Sequence, residues 1–397
     1  MSGTAAIPVV LMTPVYDKNM NWVGLRLDGG KGQPLTAPVV AAVLQHLQGI
    51  ELFSYQSVFL SYDPSLAKGN SLPPTDQTVV MLPSMPEEGN PAAKVAAVLT
   101  GKGFRVAAPG LPKPAQREML TIAVMQAAAA RKSGSEEALA KVAQSGFRLF
   151  ADQVNSLELF DWCAANNFHY ISCGAMPYVP TAKAQAQGPS KEMLMRLLDA
   201  VTRDAAIGDL EDVFKQEPKL AFDLLRLVNS ASMGLRNKIA NFRQAITILG
   251  RRQLQRWLQL LVFSHQKDSK HGPNVLMLRA ATRGRMMEQI SKQTPEGGST
   301  DYQEEAFMVG AFSMLDVLMN SPLDELLKNL QLAEAVEQAL LHREGDFGQM
   351  LTLVEQAEAR DAAGVQSSLE RLGIPVEVFN DIQAETLGWV FRMREAE

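Results

Sequence analysis

The sequence predicts a chain of two classes, α/β followed by all-α: a β/α domain over residues 1–183, a linker over 184–190 and a helical domain over 191–397. Three observations lead there. At 397 residues the chain exceeds what one ordinary hydrophobic core organises. Its first half alternates short apolar runs with helix-length pieces. After the stretch "MPYVPTAKAQAQGPS", rich in proline, glycine and glutamine, the hydrophobic period becomes almost wholly helical.

In the first half, "IPVVLMTPVYD", "YQSVFLSY", "QTVVMLP", "GFRVAAP", "MLTIAVM", "FRLFADQV" and "FHYISC" have strand length and strand composition. Helix-like pieces lie between several of them, over 37–48, 91–102, 134–145 and 156–166. Repeated β-then-α units predict a parallel sheet covered by helices. Their number suits a barrel better than an open sheet.

In the second half, "KEMLMRLLDAVT", "IGDLEDVFKQ", "PKLAFDLLRLV", "FRQAITILG", "LQRWLQLLVF" and "NVLMLRAATRGRMMEQIS" read as helices. So do "YQEEAFMVGAFSMLDVLM", "LDELLKNL", "LAEAVEQALL", "MLTLVEQAEA" and "PVEVFNDIQAETLGWVFRM". Leu220, Leu224, Leu227 and Val228 form one apolar helical face that runs into "VNSASMG" over 228–234. The small residues there suit a helix end packed beneath its neighbours, with Gly234 as the stop.

Composition narrows the function. A net charge of −5 argues against a general nucleic-acid binder. Cys163 and Cys173 form no CxxC pair, which suits a reducing cytoplasm. The N-terminus lacks a basic leader, and no run reaches the roughly 18 apolar residues of a membrane helix. His46, His169, His265, His271 and His342 fall in neither HxH nor HExxH spacing, so no metal or other cofactor is expected. "RLDGGKGQPL" misses the phosphate-loop spacing and reads as a loop, and no GxSxG elbow occurs. Arg236, Lys238, Arg243, Arg251, Arg252 and Arg256 form a basic stretch that is either a solvated helical face or an anion or partner patch.

Two stretches, "DLEDVFKQEPKLAFDLLRLVNSASMGLRNKIANFRQAITILGRRQLQRWLQLL" and "EEAFMVGAFSMLDVLMNSPLDELLKNLQLAEAVEQALLHREGDFGQMLTLVE", resemble an HDOD domain. That family is related to HD-type metal-dependent phosphohydrolases and has generally lost their metal residues. "PVYDKNMNWVGLRL", "GFRVAAPGLP", "MLTIAVM" and "LFADQVN" resemble, more faintly, the strands of an EAL domain, the TIM-barrel-like fold of cyclic di-GMP phosphodiesterases. The order EAL-like then HDOD is a recurring bacterial signalling arrangement.

Both resemblances imply lost chemistry. The EAL glutamate falls at Arg26, and the paired aspartates fall at Pro109 and Gly110 or one residue earlier, where no carboxylate occurs. Thr121 and Ala123 replace a lysine and an aspartate, while Asp152, Gln153 and Asn155 stand for a glutamate, a lysine and a glutamate. One surviving carboxylate, Asp152, cannot hold a metal pair. The HD dyad falls at Ser313 and Met314. The expectation is a cytoplasmic, non-catalytic bacterial signal-transduction protein. It would act as an interaction platform in cyclic di-GMP-related or motility control, with other signalling proteins as partners and neither membrane nor nucleic acid among them. Cyclic di-GMP binding is possible but not expected. The alternatives are a sensor that binds cyclic di-GMP or another nucleotide without hydrolysis, and a metal-dependent cyclic di-GMP phosphodiesterase.

Overall fold

Eight strands close into a barrel in chain order. The structure is a computed structural model and describes residues 8–30, 32–48, 57–68, 77–173, 191–203, 205–206, 256, 259–260, 275–319, 321–328, 330 and 332–395. The strands are β1 (Leu11–Tyr16), β2 (Trp22–Asp28), β3 (Ser57–Ser61), β4 (Thr78–Met81), β5 (Arg105–Pro109), β6 (Ile122–Gln126), β7 (Arg148–Val154) and β8 (Tyr170–Cys173). Helices α1 (Ala37–Gln48), α2 (Pro64–Lys68), α3 (Pro91–Gly101), α4 (Ala127–Lys132), α5 (Glu136–Gln144) and α6 (Leu157–Ala165) connect them. Local chemistry fixes several boundaries. Asn90 caps α3 by accepting from the Ala93 amide at 2.9 Å, with Pro91 in the first turn. Ser156 caps α6 through the Leu159 amide.

The sheet departs from the expected all-parallel pattern. Strands β2 to β8 pair in parallel, but β1 runs antiparallel to both β2 and β8. The cause is the connection: β1 ends at Tyr16 and β2 starts at Trp22, too short a link for a parallel crossover. Asp17 shapes that turn by accepting from the Asn19 and Asn21 amides at 2.8 and 2.7 Å.

The barrel interior is a packed core. Val15, Phe59, Val79, Met81, Ala107, Ile122, Phe150 and Tyr170 form one buried cluster. Phe59 meets Phe150 at 4.9 Å and Tyr170 at 5.0 Å between ring centroids. Gly24 makes room for this layer, because a Cβ there would lie 2.5 Å from the Ser57 carbonyl oxygen and 2.7 Å from the Phe59 ring. The aromatic layer fills the waist, so each end of the barrel is a separate chemical environment.

The chain forms two compact units that do not follow a single cut. The first comprises residues 1–177, 356–367 and 375–384; the second comprises 178–355, 368–374 and 385–397. Within the first, Asn380 accepts from the Val10 amide at 3.0 Å, and the Gln383 side chain donates to the Val10 carbonyl at 2.8 Å. These side chains hold the segment leading into β1.

In the second unit the described helices include α7 (Lys191–Thr202), α8 (Val275–Ser291), α9 (Thr300–Phe312), α10 (Leu315–Met319), α11 (Leu323–Leu327) and α12 (Glu334–His342). The chain continues through α13 (Gly345–Glu358), α14 (Ala362–Leu372) and α15 (Val376–Glu395), whose residues are divided between the units. Helices α8 and α9 cross at glycine: a Cβ on Gly310 would lie 2.5 Å from the Arg283 carbonyl oxygen and 2.7 Å from the Gly284 nitrogen. The expected single run "YQEEAFMVGAFSMLDVLM" is two helices, broken at Ser313 and Met314. Helix α14 was not expected from periodicity. The "VNSASMG" stretch lies outside the described residues.

Candidate functional site

At the C-terminal end of the parallel strands, four charged side chains converge. Arg26 and Asp28 lie two apart on β2 and therefore share a face. Arg26 pairs in register with Phe59, a residue of the barrel core, so that face is the interior. Asp152 comes from the far end of β7, where the pairing with β8 shifts between Ala151 and Val154. Gln153 takes a left-handed backbone at φ 58°, and its amide donates to Asp152 Oδ1 at 2.9 Å. This bulge re-aims the carboxylate toward β2. Arg360, just ahead of α14 in a segment that belongs to the barrel unit, supplies the fourth group.

The four form two crossed pairs. Arg26 Nε lies 3.1 Å from Asp28 Oδ2, and Arg26 Nη1 is ion-paired with Asp152 Oδ1. Arg360 Nη2 pairs with Asp28 Oδ2, and its Nη1 lies 3.7 Å from Asp152 Oδ1. Asp28 also accepts from the Gly30 amide at 2.9 Å. Arg26 is 4% exposed and Asp28 1%, so these charges are withdrawn from water and depend on one another. Gly30 has a positive φ of 97°, and a Cβ there would lie 2.7 Å from the Ala362 Cβ. The loop after β2 is therefore a close-packed seat for the 360–362 segment. Within this loop the Gly29 and Gln33 amides donate to the Gln33 and Gly30 carbonyls at 2.9 Å.

The cluster does not suit a pair of divalent cations. Such a centre needs several free carboxylate oxygens. Asp28 and Asp152 are each engaged by both guanidiniums. Among the described residues, no three His, Cys, Asp or Glu side chains come together in a group able to hold a metal.

The other sequence-derived positions spread around the same end. Pro109 ends β5, and Gly110 follows with φ 100°, its amide donating to the Val124 carbonyl at 3.0 Å. Gln153 and Asn155 are exposed. Thr121 is a correction: it precedes β6, at the opposite end from the cluster, and its hydroxyl donates to the Val106 carbonyl. Ala123 is buried within β6. Cys163 and Cys173 are buried free thiols, and burial pushes Cys163 up to about 12.

In the helical unit, Ser313 and Met314 are both buried. The Ser313 hydroxyl donates to the Gly310 carbonyl at 2.7 Å and accepts from Arg283 Nη1 at 2.8 Å. The serine thus closes the end of α9 and holds an arginine. Of the basic stretch, Arg236, Lys238, Arg243, Arg251 and Arg252 lie outside the described residues. Arg256 departs from the reading as an anion-binding cation. Its guanidinium makes two 2.8 Å hydrogen bonds to Glu304 and lies 3.1 Å from Glu288, over the Phe307 ring. Burial opposes the Arg256 charge, but Glu304 and Glu288 outweigh it and raise the affinity for the proton. Burial alone would raise Glu288, yet Arg285, Arg256 and Lys292 hold it below the usual carboxylate value. Arg256 is part of a structural charge network.

Sequence reasoning missed Asp28 and Arg360. Asp28 carried a local signal, since it stands two residues after Arg26 on the same strand face; Arg360 carried none.

The HDOD domain family matches residues 189–344. The cyclic di-GMP phosphodiesterase CdgJ of Vibrio cholerae serotype O1 is 28% identical over 251 residues, 63% of this chain and 57% of that protein. The uncharacterized protein YuxH of Bacillus subtilis strain 168 is 25% identical over 194 residues, 48% of this chain and 46% of that protein. The matched stretches span about half the length of these curated relatives. An EAL domain protein from Listeria monocytogenes EGD-e superposes with a TM-score of 0.31 at 12% identity, covering 41% of this chain and 85% of that one. Among the described residues, no helix is long and apolar enough to cross a membrane. The chain is an N-terminal eight-stranded β/α barrel followed by a helical region, and residues 189–344 match the HDOD domain family.

Proposed function

We propose that this chain is a non-catalytic signal-transduction protein in cyclic di-GMP-related or motility control, acting as a platform for protein contacts. The observation that carries the reading is the Arg26–Asp28–Asp152–Arg360 cluster. At the barrel end where this chemistry needs carboxylates to hold metal ions, two arginines neutralise the only two acids of the group. Arg360 also places backbone and Ala362 over the loop after β2, where a ligand would approach.

The likeness to CdgJ supports a connection with cyclic di-GMP, and it motivates the test. Calorimetry of the full chain with cyclic di-GMP, with and without Mg²⁺ or Mn²⁺, should give no heat of binding in either condition. Metal-independent binding without turnover would replace this reading with a sensor. Binding that requires the metal and is followed by hydrolysis would replace it with an enzyme.

A further inference from the structure

The opposite end of the barrel has a different character. Below the aromatic layer lies a cavity of about 480 Å³, lined by Lys18, Ser57, Arg105, Arg148, His169 and Tyr170 among others. A second hollow of about 330 Å³ shares Arg105 and Arg148 and adds Arg117. These volumes fall within the range of small-molecule pockets, roughly 300–1,000 Å³.

The charges in this place are not balanced. Arg105 reaches Ser57 Oγ at 2.6 Å, the Gln77 carbonyl at 3.3 Å and the Tyr170 oxygen at 3.2 Å, all neutral acceptors. Arg148 donates to the same Tyr170 oxygen at 2.6 Å, with its guanidinium 5.9 Å from the ring centre. Among the described residues, no carboxylate pairs with Arg105 or Arg148. Asp17 is the one acid among those lining the larger cavity. Its oxygens are already taken by the Asn19 and Asn21 amides and by Asn21 Nδ2 at 3.0 Å.

Tyr170 accepts from both arginines, which leaves its own O–H to donate, and the described residues offer it no acceptor. Two guanidiniums, a phenol hydroxyl and the Lys18 ammonium then point to one chemistry. Arginine forks match the oxygens of a phosphate, and a lysine adds a mobile charge at the rim. At the other barrel end each guanidinium is paired with carboxylates; here, among the described residues, neither is.

We propose that the N-terminal end of this barrel is a binding site for a small phosphate-bearing molecule, held by Arg105, Arg148 and Tyr170 with Lys18 at the entrance. The phosphate oxygens would accept from both guanidiniums and from the tyrosine hydroxyl. The site is separate from the Arg26 cluster and does not depend on the non-catalytic reading. His169 at the rim reports on it. Partial desolvation, then Arg148 and Lys18, hold its pKa below the ordinary histidine value, and a bound anion would offset the two cations.

The test is a titration of the full chain with inorganic phosphate and with glycerol phosphate, following the histidine ring signals by NMR at constant ionic strength. The chain has five histidines, and His169→Gln assigns the relevant one. Saturable shifts of His169 with a raised midpoint are expected for both probes. Arg148→Gln should weaken binding by about tenfold or more, as expected for a lost charge-assisted contact. Lys18→Gln, at an exposed residue, should fold normally and weaken it less. A response to inorganic phosphate alone would narrow the ligand to the free ion. No saturable response from either probe, or an undiminished response in both variants, would overturn the proposal.

Discussion

Replacing Arg360 with methionine tests whether the cluster holds its segment on the barrel. Arg360→Met keeps an unbranched apolar stem and removes the guanidinium. The Arg360 side chain is 11% exposed and that of Asp28 1%, so the lost cation leaves buried charge rather than solvated charge. Removing one partner of a buried ion pair costs about 3–5 kcal/mol. Asp28 keeps Arg26 at 3.1 Å and the Gly30 amide at 2.9 Å, which places the expected loss near the lower end, about 3 kcal/mol. Two compact units make a single global transition a poor readout. Hydrogen exchange of peptides covering β2 and β7 is the direct assay, and a 3 kcal/mol loss corresponds to roughly hundredfold faster exchange where opening is global. Asp28→Asn combined with Arg360→Met should recover part of the loss, because the unpaired charge is then gone. Exchange of the single variant within about 0.5 kcal/mol of the parent would refute the reasoning, since that is the behaviour of a surface residue.

Gly24→Ala should lower the stability of the barrel by about 1–3 kcal/mol or more, measured by exchange in β2 and β3, because the Phe59 ring and the Ser57 carbonyl leave no room for a methyl group. Arg256→Met should cost the helical unit about 3 kcal/mol by the same measurement in α8 and α9, since Glu304 loses a two-pronged partner and Glu288 loses one of three cations. His169 should titrate below 6.5 in an NMR pH series. The unfolded chain then takes up the proton first as pH falls, so the residue's contribution to stability is present above 6.5 and is lost as pH drops through its folded midpoint.

Much of the barrel was legible because its signals are local. The apolar runs that became β3 to β8 and the pieces that became α1, α3, α5 and α6 lie between turn residues and need no distant partner to be recognised. The run "IPVVLMTPVYD" covers β1, but its antiparallel direction was not legible, and β2 was not among the strand-length runs. Position 26 was found through resemblance, and the burial of an arginine there follows only once a second chain segment is in place. That segment was hidden. Arg360 is 332 residues from Asp28, in "ARDAAGVQ", which has neither strand alternation nor a strong helical face. Its partner could not be read from spacing, because long-range ion pairs leave no period in a sequence. Arg105 and Arg148 were missed for a related reason. Each reads as an ordinary first residue of a strand, and only barrel closure brings them to one tyrosine hydroxyl.

The most direct test of the central claim is a cyclic di-GMP hydrolysis assay on the full chain with Mg²⁺ and with Mn²⁺, run beside Arg360→Met. The account predicts no product above the protein-free control from either protein, because freeing Asp28 and Asp152 of one arginine still leaves Arg26 in the place of a ligand. Metal-dependent product formation by the parent chain would contradict it. Turnover by Arg360→Met alone would contradict it as well, and would make Arg360 a removable block on a working site.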